Sequence, residues 1–249
     1  MYELTLCHLY PDLMNLYGDR GNIIALSKRC QWRGIDLKVI PVSLKDPFEY
    51  ENYDIVFMGG GQDYEQAIIQ EDLMQGKRQW IIEAVEAGKV FLGICGGLQL
   101  LGKYYRTHTG SEIECIGALN LWTHGGETRL IGNLVYEVDF LKDEHQSGYV
   151  IGFENHSGKT YLGDGVKPLG KVIKGFGNNG EDGFEGAVYK NVYCSYSHGS
   201  LLPKNPALTD HLIKLALLNK YPDFQGLEPL ENTMENIARQ SLLKRFLAG

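Results

Sequence analysis

Val90-Phe91-Leu92-Gly93-Ile94-Cys95-Gly96-Gly97-Leu98-Gln99-Leu100-Leu101-Gly102 decides how this chain is read. Its first five residues form a short continuous apolar run, the pattern of a strand buried on both faces. One reactive-type residue follows, and the spacing predicts a helix from Gly97 or Leu98. Strand, nucleophile and helix in that order make the elbow that α/β-hydrolases build around serine. The tight turn forces the nucleophile into a strained backbone conformation, so small residues are needed on both sides. Gly93 and Gly97 flank Cys95 and meet that need. A thiol there faces the positive end of a helix dipole and free N–H groups, which favour a thiolate. The Gly96 N–H can face an oxyanion. Cys7, Cys30, Cys115 and Cys194 lack such a setting and read as small buried hydrophobes. The same stretch contains Gly97-x4-Gly102-Lys103, which mimics a phosphate loop. Tyr104 follows where a small hydroxyl would be needed to hold magnesium, so that reading is rejected.

Outward from the elbow, strands are expected over residues 3–10, 37–42 and 53–58, with helices over 22–33 and 63–87, the latter divisible at Gly76. Alternating strands and helices imply a parallel sheet with right-handed crossovers. Beyond Lys103 the pattern changes to strands around 119–122, 130–140, 149–155 and 186–196, separated by Gly, Asp and Asn turns. Helix returns over 207–221 and 231–247. In the last helix Leu230, Met234, Ile237, Ala238 and Leu242 can share one face, expected to pack on the parent domain, with partner binding as the alternative.

Composition narrows the function. Of 249 residues 43% are hydrophobic and 22% charged, enough for a real core. The 24 basic against 31 acidic residues give a net charge of -7, without the basic excess of a nucleic-acid binder. Five cysteines without a C-x-x-C pair exclude a zinc ribbon and a dithiol redox motif. His8, His108, His124, His145 and His211 have no ligand spacing, so no metal site is expected. No apolar run reaches the ~18–20 residues of a membrane span, and no leader pattern opens the chain. A reduced, cytoplasmic protein is the expectation. Glycine is abundant, at 31 residues, and it clusters at Gly59-Gly60-Gly61, at the elbow, and between Gly148 and Gly186.

A nucleophilic cysteine usually needs a histidine base. His198, in Tyr196-Ser197-His198-Gly199-Ser200-Leu201-Leu202-Pro203-Lys204-Asn205-Pro206, supplies one at a strand end. Elbow cysteine and late histidine together resemble the class I (triad-type) glutamine amidotransferases, and more specifically their cobyric-acid-synthase-like branch. Four stretches sharpen this to a resemblance to the glutaminase subunits of bacterial lipid II isoglutaminyl synthase. They are Leu16-Tyr17-Gly18-Asp19-Arg20-Gly21-Asn22, Gly152-Phe153-Glu154-Asn155-His156-Ser157-Gly158, Gly175-Phe176-Gly177-Asn178-Asn179 and the His198 to Pro206 segment.

The resemblance implies an α/β, flavodoxin-like three-layer fold with a mostly parallel central sheet and added hairpins. It places the amidotransferase domain at residues 1–221 and a C-terminal helical extension at 222–249. It implies that Cys95 attacks the side-chain amide of L-glutamine and that His198 moves the proton. Backbone N–H groups of Gly96 and Gly60 would hold the oxyanion. Gln99, Gly60, Gly61 and Arg129 would bind substrate, Arg129 meeting the α-carboxylate. His156 is a possible cleft residue, or else a structural turn residue. Class I members typically carry a glutamate two residues after the histidine, and here that position is Ser200. The expectation is therefore a Cys–His dyad in this chain, completed by an acidic group from a partner, with weak glutaminase activity alone. The implied partner is a MurT-like Mur-ligase subunit that holds ATP and magnesium, none being expected in this chain. That partner would amidate the D-glutamate α-carboxylate of lipid II to D-isoglutamine, at the inner membrane face. An amidotransferase of cobyrinate or cobyric acid synthesis and a non-catalytic binding module on the same fold are the alternatives.

Overall fold

The computed structural model describes residues 1–15, 19–61, 63–143 and 146–248. Leu16, Tyr17 and Gly18 of the first family-like stretch, and His145, lie outside them. The first half alternates as its sequence suggests: β1 (Glu3–Leu9), α1 (Arg20–Gln31), β2 (Asp36–Val42), β3 (Ile55–Met58), α2 (Asp63–Asp72), α3 (Arg78–Glu86), β4 (Val90–Ile94) and α4 (Gly96–Leu101). A π-helical turn, Leu73–Lys77, separates α2 from α3 and contains Gly76, the expected point of division.

With β11 (Ala187–Tyr189) and β12 (Val192–Ser195), these strands form a six-stranded sheet in the order β11-β12-β4-β3-β1-β2, parallel except for the β11–β12 pair. From β1 to β2 the chain steps outward one way, and from β3 to β4 the other. Right-handed crossovers therefore put α1 and α3 on opposite faces, giving the expected three-layer architecture. All five residues of β4 are buried, as their unbroken apolar run requires.

The second half departs from its sequence reading. The expected strand at 130–140 and the end of that at 119–122 belong to one strand, β7 (Leu121–Asp143), and 149–155 lies inside β8 (Gln146–Leu162). Glycine suggests turns here, yet Gly132 pairs in register with Glu154 and Gly126 falls in a register shift between Gly125 and Leu130, with a second shift between Glu137 and Lys142. This ribbon anchors a second sheet with β5 (Tyr104–Arg106), β6 (Glu112–Glu114), β9 (Gly170–Lys174) and β10 (Phe184–Glu185), strands too short to be read from sequence.

The chain closes with α5 (Leu201–Lys204), α6 (Pro206–Lys220) and α7 (Thr233–Leu247). The expected packing of the apolar face of α7 is corrected here: Met234 and Ile237 are 76% and 59% exposed, and no residue of α7 is buried. Polar bonds hold the extension instead. Arg29 donates to Asn232 at 2.9 Å, Arg239 to the Tyr149 carbonyl and Lys174 to the Phe246 carbonyl. No helix among the described residues is long and apolar enough to cross a membrane.

Candidate active site

Cys95 follows β4 directly and caps α4 with φ +51° and ψ −99°, the left-handed conformation a nucleophile elbow demands. Its N–H donates to the Ser195 carbonyl at 2.8 Å, tying the elbow to the end of β12. The requirement for glycine at position 97 is steric: a Cβ there would stand 2.4 Å from the Met58 carbonyl oxygen. The other cysteines are free and buried, and burial pushes the thiols of Cys30, Cys115 and Cys194 up to about 12. They are inert at neutral pH.

β12 lies beside β4 in parallel, so the segment leaving it carries His198 over the elbow. The His198 N–H donates to the Phe153 carbonyl of β8 at 2.7 Å. Buried Glu185 steadies this segment, its Oε1 accepting from Ser195 Oγ at 2.6 Å and from the Tyr196 N–H at 2.8 Å. Burial of Glu185 raises its carboxyl to about 7, against the lowering effect of those bonds.

The expectation that this chain offers His198 no carboxylate is overturned. Asp19, fully buried just before α1, places Oδ1 3.3 Å from His198 Nδ1. Its Oδ2 accepts the Gly60 N–H at 2.7 Å. The three groups converge on one point: a Cβ on Gly60 would lie 2.8 Å from His198 Cε1, 3.1 Å from Asp19 Oδ2 and 3.7 Å from Cys95 Cβ. Burial alone would lower the His198 imidazole. Hydrogen bonds to Asp19 and Cys95, and the charges on both, outweigh it and raise it to about 10. The imidazole therefore favours its protonated form beside Asp19.

Gly60 is also corrected as an oxyanion donor, because its N–H is taken by Asp19. The Gly61 nitrogen instead flanks Gly96, 2.9 Å from where a Gly96 Cβ would be. Gln99 is buried and held from both sides, accepting from Gln66 at 3.2 Å and donating to Tyr196 Oη at 3.3 Å. A cleft opens over Cys95, lined by Gly61, Tyr64, Gln99, Tyr105, Arg129, Asn155, His156, Ser157 and Gly158. Arg129 is exposed on β7 and donates to Asn155 Oδ1 on β8 at 3.1 Å, leaving most of its fork open to the cleft. His156 lines this cleft from within β8 and is no turn residue. It stacks on Tyr196 at 3.6 Å, with Nδ1 2.7 Å from the Gly158 carbonyl. Among the described residues no group of three or more His, Cys, Asp or Glu could hold a metal ion.

The structure thus brings together Cys95, His198, Gln99, Arg129, Gly60, Gly61 and Gly96. Sequence reading missed Asp19, although it stands in a stretch already singled out, and it missed Tyr64, Tyr105 and Asn155.

Known proteins resemble this chain over most of its length. Residues 5–206 match the model of the CobB/CobQ-like glutamine amidotransferase domain. The lipid II isoglutaminyl synthase (glutamine-hydrolyzing) subunit GatD of Staphylococcus aureus is 42% identical over 98% of this chain and 97% of its own length. The subunit of the same name from Streptococcus pneumoniae is 44% identical, over 88% of this chain and 83% of its own length. A probable cobyric acid synthase of Methanothermobacter thermautotrophicus is 34% identical over 59% of this chain, but only 29% of its own length takes part. Among solved structures, PurLQS from Thermotoga maritima superposes with a TM-score of 0.58 at 17% identity, over 87% of this chain and 98% of that one, a likeness of fold. The chain belongs to the CobB/CobQ-like glutamine amidotransferase family and, within it, to the GatD subunits of glutamine-hydrolysing lipid II isoglutaminyl synthase.

Proposed function

We propose that this chain generates ammonia from L-glutamine at Cys95 for a separate ATP-dependent subunit. The convergence of Cys95, His198 and Asp19 on Gly60, beside a cleft whose lining includes Cys95 and Arg129, carries this reading. Arg129 meets the α-carboxylate of glutamine, a planar group suited to its fork. Cys95 Sγ attacks the side-chain amide carbon, and the developing oxyanion lies toward the N–H groups of Gly96 and Gly61. His198 gives its proton to the amide nitrogen as the carbon–nitrogen bond breaks, leaving ammonia and a glutamyl thioester. Water, deprotonated by the imidazole, then releases glutamate and returns the proton to the pair.

The two relatives named as lipid II isoglutaminyl synthase subunits support the downstream half of the proposal. A MurT-like Mur-ligase partner holds ATP and magnesium and amidates the D-glutamate α-carboxylate of lipid II, at the inner face of the membrane. The cobyric acid reading is weaker, since that relative aligns over only 29% of its length.

A thiol-directed glutamine analogue is expected to label Cys95 alone among the five cysteines, as read by peptide mass mapping, with a Mur-ligase-like chain co-purifying. No label at Cys95 would sink the glutaminase reading in favour of a binding module. Arg129→Ala is expected to raise KM for glutamine by about 10- to 100-fold with kcat little changed, the loss of a charged hydrogen bond worth about 1.5–3 kcal/mol. Steady-state ammonia release checks it, and an unchanged KM would remove Arg129 from the substrate grip.

A further inference from the structure

We propose that Asp19 is the residue that positions His198, so that this chain carries its own complete Cys–His–Asp arrangement; this rests on the glutaminase reading. Asp19 and His198 lie 179 residues apart in sequence, yet the first turn of α1 is fastened to the segment after His198 at several points. Asn22 Oδ1 accepts the Leu202 N–H at 2.8 Å, in the buried interior. Gly21 lies so close that a Cβ on it would stand 2.2 Å from Ser200 Oγ. A side chain at position 21 would displace Ser200, and the same turn carries the Asp19 carboxylate at Nδ1.

The carboxylate has two jobs, one for each oxygen. Oδ1 lies 3.3 Å from His198 Nδ1 and keeps the proton on that nitrogen, which turns Nε2 toward the nucleophile. Oδ2 accepts from Gly60 and fixes the glycine turn under the same imidazole. Both neighbours donate, and an ionised carboxylate accepts on both sides. An asparagine accepts on one side only. In Asp19→Asn either the Gly60 bond is lost, or the amide N–H₂ faces Nδ1 and selects the wrong tautomer. The charges facing the imidazole are those of Asp19 and Cys95. The Lys204 ammonium lies behind it, 3.5 Å from the His198 carbonyl oxygen.

The test uses the full chain, alone and with its co-purified partner. Asp19→Asn is expected to lower kcat by about 10²- to 10⁴-fold with KM for glutamine little changed. The sign of the pH effect is fixed: the carboxylate holds the imidazolium, so its loss lets His198 release the proton sooner. The alkaline limb of the kcat/KM profile therefore moves to lower pH, by about one unit or more. Alkylation of Cys95 by iodoacetamide, followed by mass mapping against pH, reads the same pair without glutamine or partner. Should the variant not fold, ¹⁵N spectra of the wild-type imidazole decide. His198 protonated on both nitrogens through pH 8, with Nδ1–H in a strong hydrogen bond, supports the assignment. Titration of His198 near its ordinary value of ~6.5 overturns it. So does Asp19→Asn with wild-type kcat and pH profile in the complex, which would hand the role to a partner carboxylate. Neither result touches the glutaminase reading, which fails only if Cys95 itself is dispensable.

Discussion

Cys95→Ala is expected to abolish glutamine hydrolysis, a loss of about 10⁵-fold or more, while the fold and glutamine binding persist. The size of the effect follows from the chemistry: without Sγ no thioester forms, and the remaining groups have no nucleophile to activate. The persistence follows from the backbone. Position 95 sits at φ +51° whichever of the two residues occupies it, so alanine inherits the same strain and the elbow keeps its shape. Arg129, Asn155 and Gln99 reach the cleft from other elements and are untouched. Ammonia release measures the loss, and calorimetric titration with glutamine measures the retained binding. Hydrolysis above about a hundredth of wild type would mean that another group attacks the amide.

Gly60→Ala is expected to lower kcat/KM by about 10²- to 10³-fold in a chain that still folds. The backbone at Gly60 does not need glycine, since its φ lies outside the left-handed region. The added methyl nevertheless meets His198 Cε1 at 2.8 Å and Asp19 Oδ2 at 3.1 Å, so the imidazole and its carboxylate have to part. Catalytic groups displaced by about 1 Å lose on the order of 10²-fold. Gly97 offers the contrast. There the nearest atom to an added Cβ is a backbone oxygen at 2.4 Å, and folding itself would suffer. Thermal unfolding of Gly60→Ala close to wild type, together with the kinetic loss, separates a lesion at the site from a lesion in the core. Wild-type activity would show that the Asp19–His198–Gly60 contacts are slack.

What could be read in advance tracks how local each signal is. The elbow is decided by thirteen consecutive residues, and β4, Cys95 and the glycines around it stand where those residues put them. Asp19 stands in a family-like stretch, but the family pattern points for a carboxylate to the position two residues after His198, where Ser200 stands. The contact that matters spans most of the chain and exists only after α1 docks on the His198 segment. The β7–β8 ribbon reads as fragments in the sequence because glycines that end strands elsewhere stand here inside the ladder, Gly132 opposite Glu154. α7 shows the reverse error: a plausible apolar stripe, with Met234 and Ile237 directed to solvent and polar bonds doing the fastening.

The ribbon also acts as a ruler. Arg129 and Asn155 stand on its two strands, and Phe153, two residues from Asn155, holds the His198 N–H at 2.7 Å. Under the proposed glutaminase reading, in which Arg129 takes the α-carboxylate, strand register therefore sets that grip relative to the His198 segment. Asparagine, shorter by one carbon–carbon bond of about 1.5 Å, leaves its amide short of the thiol when its carboxylate is seated. On that reading the antiparallel ladder discriminates by length between two amides of identical chemistry.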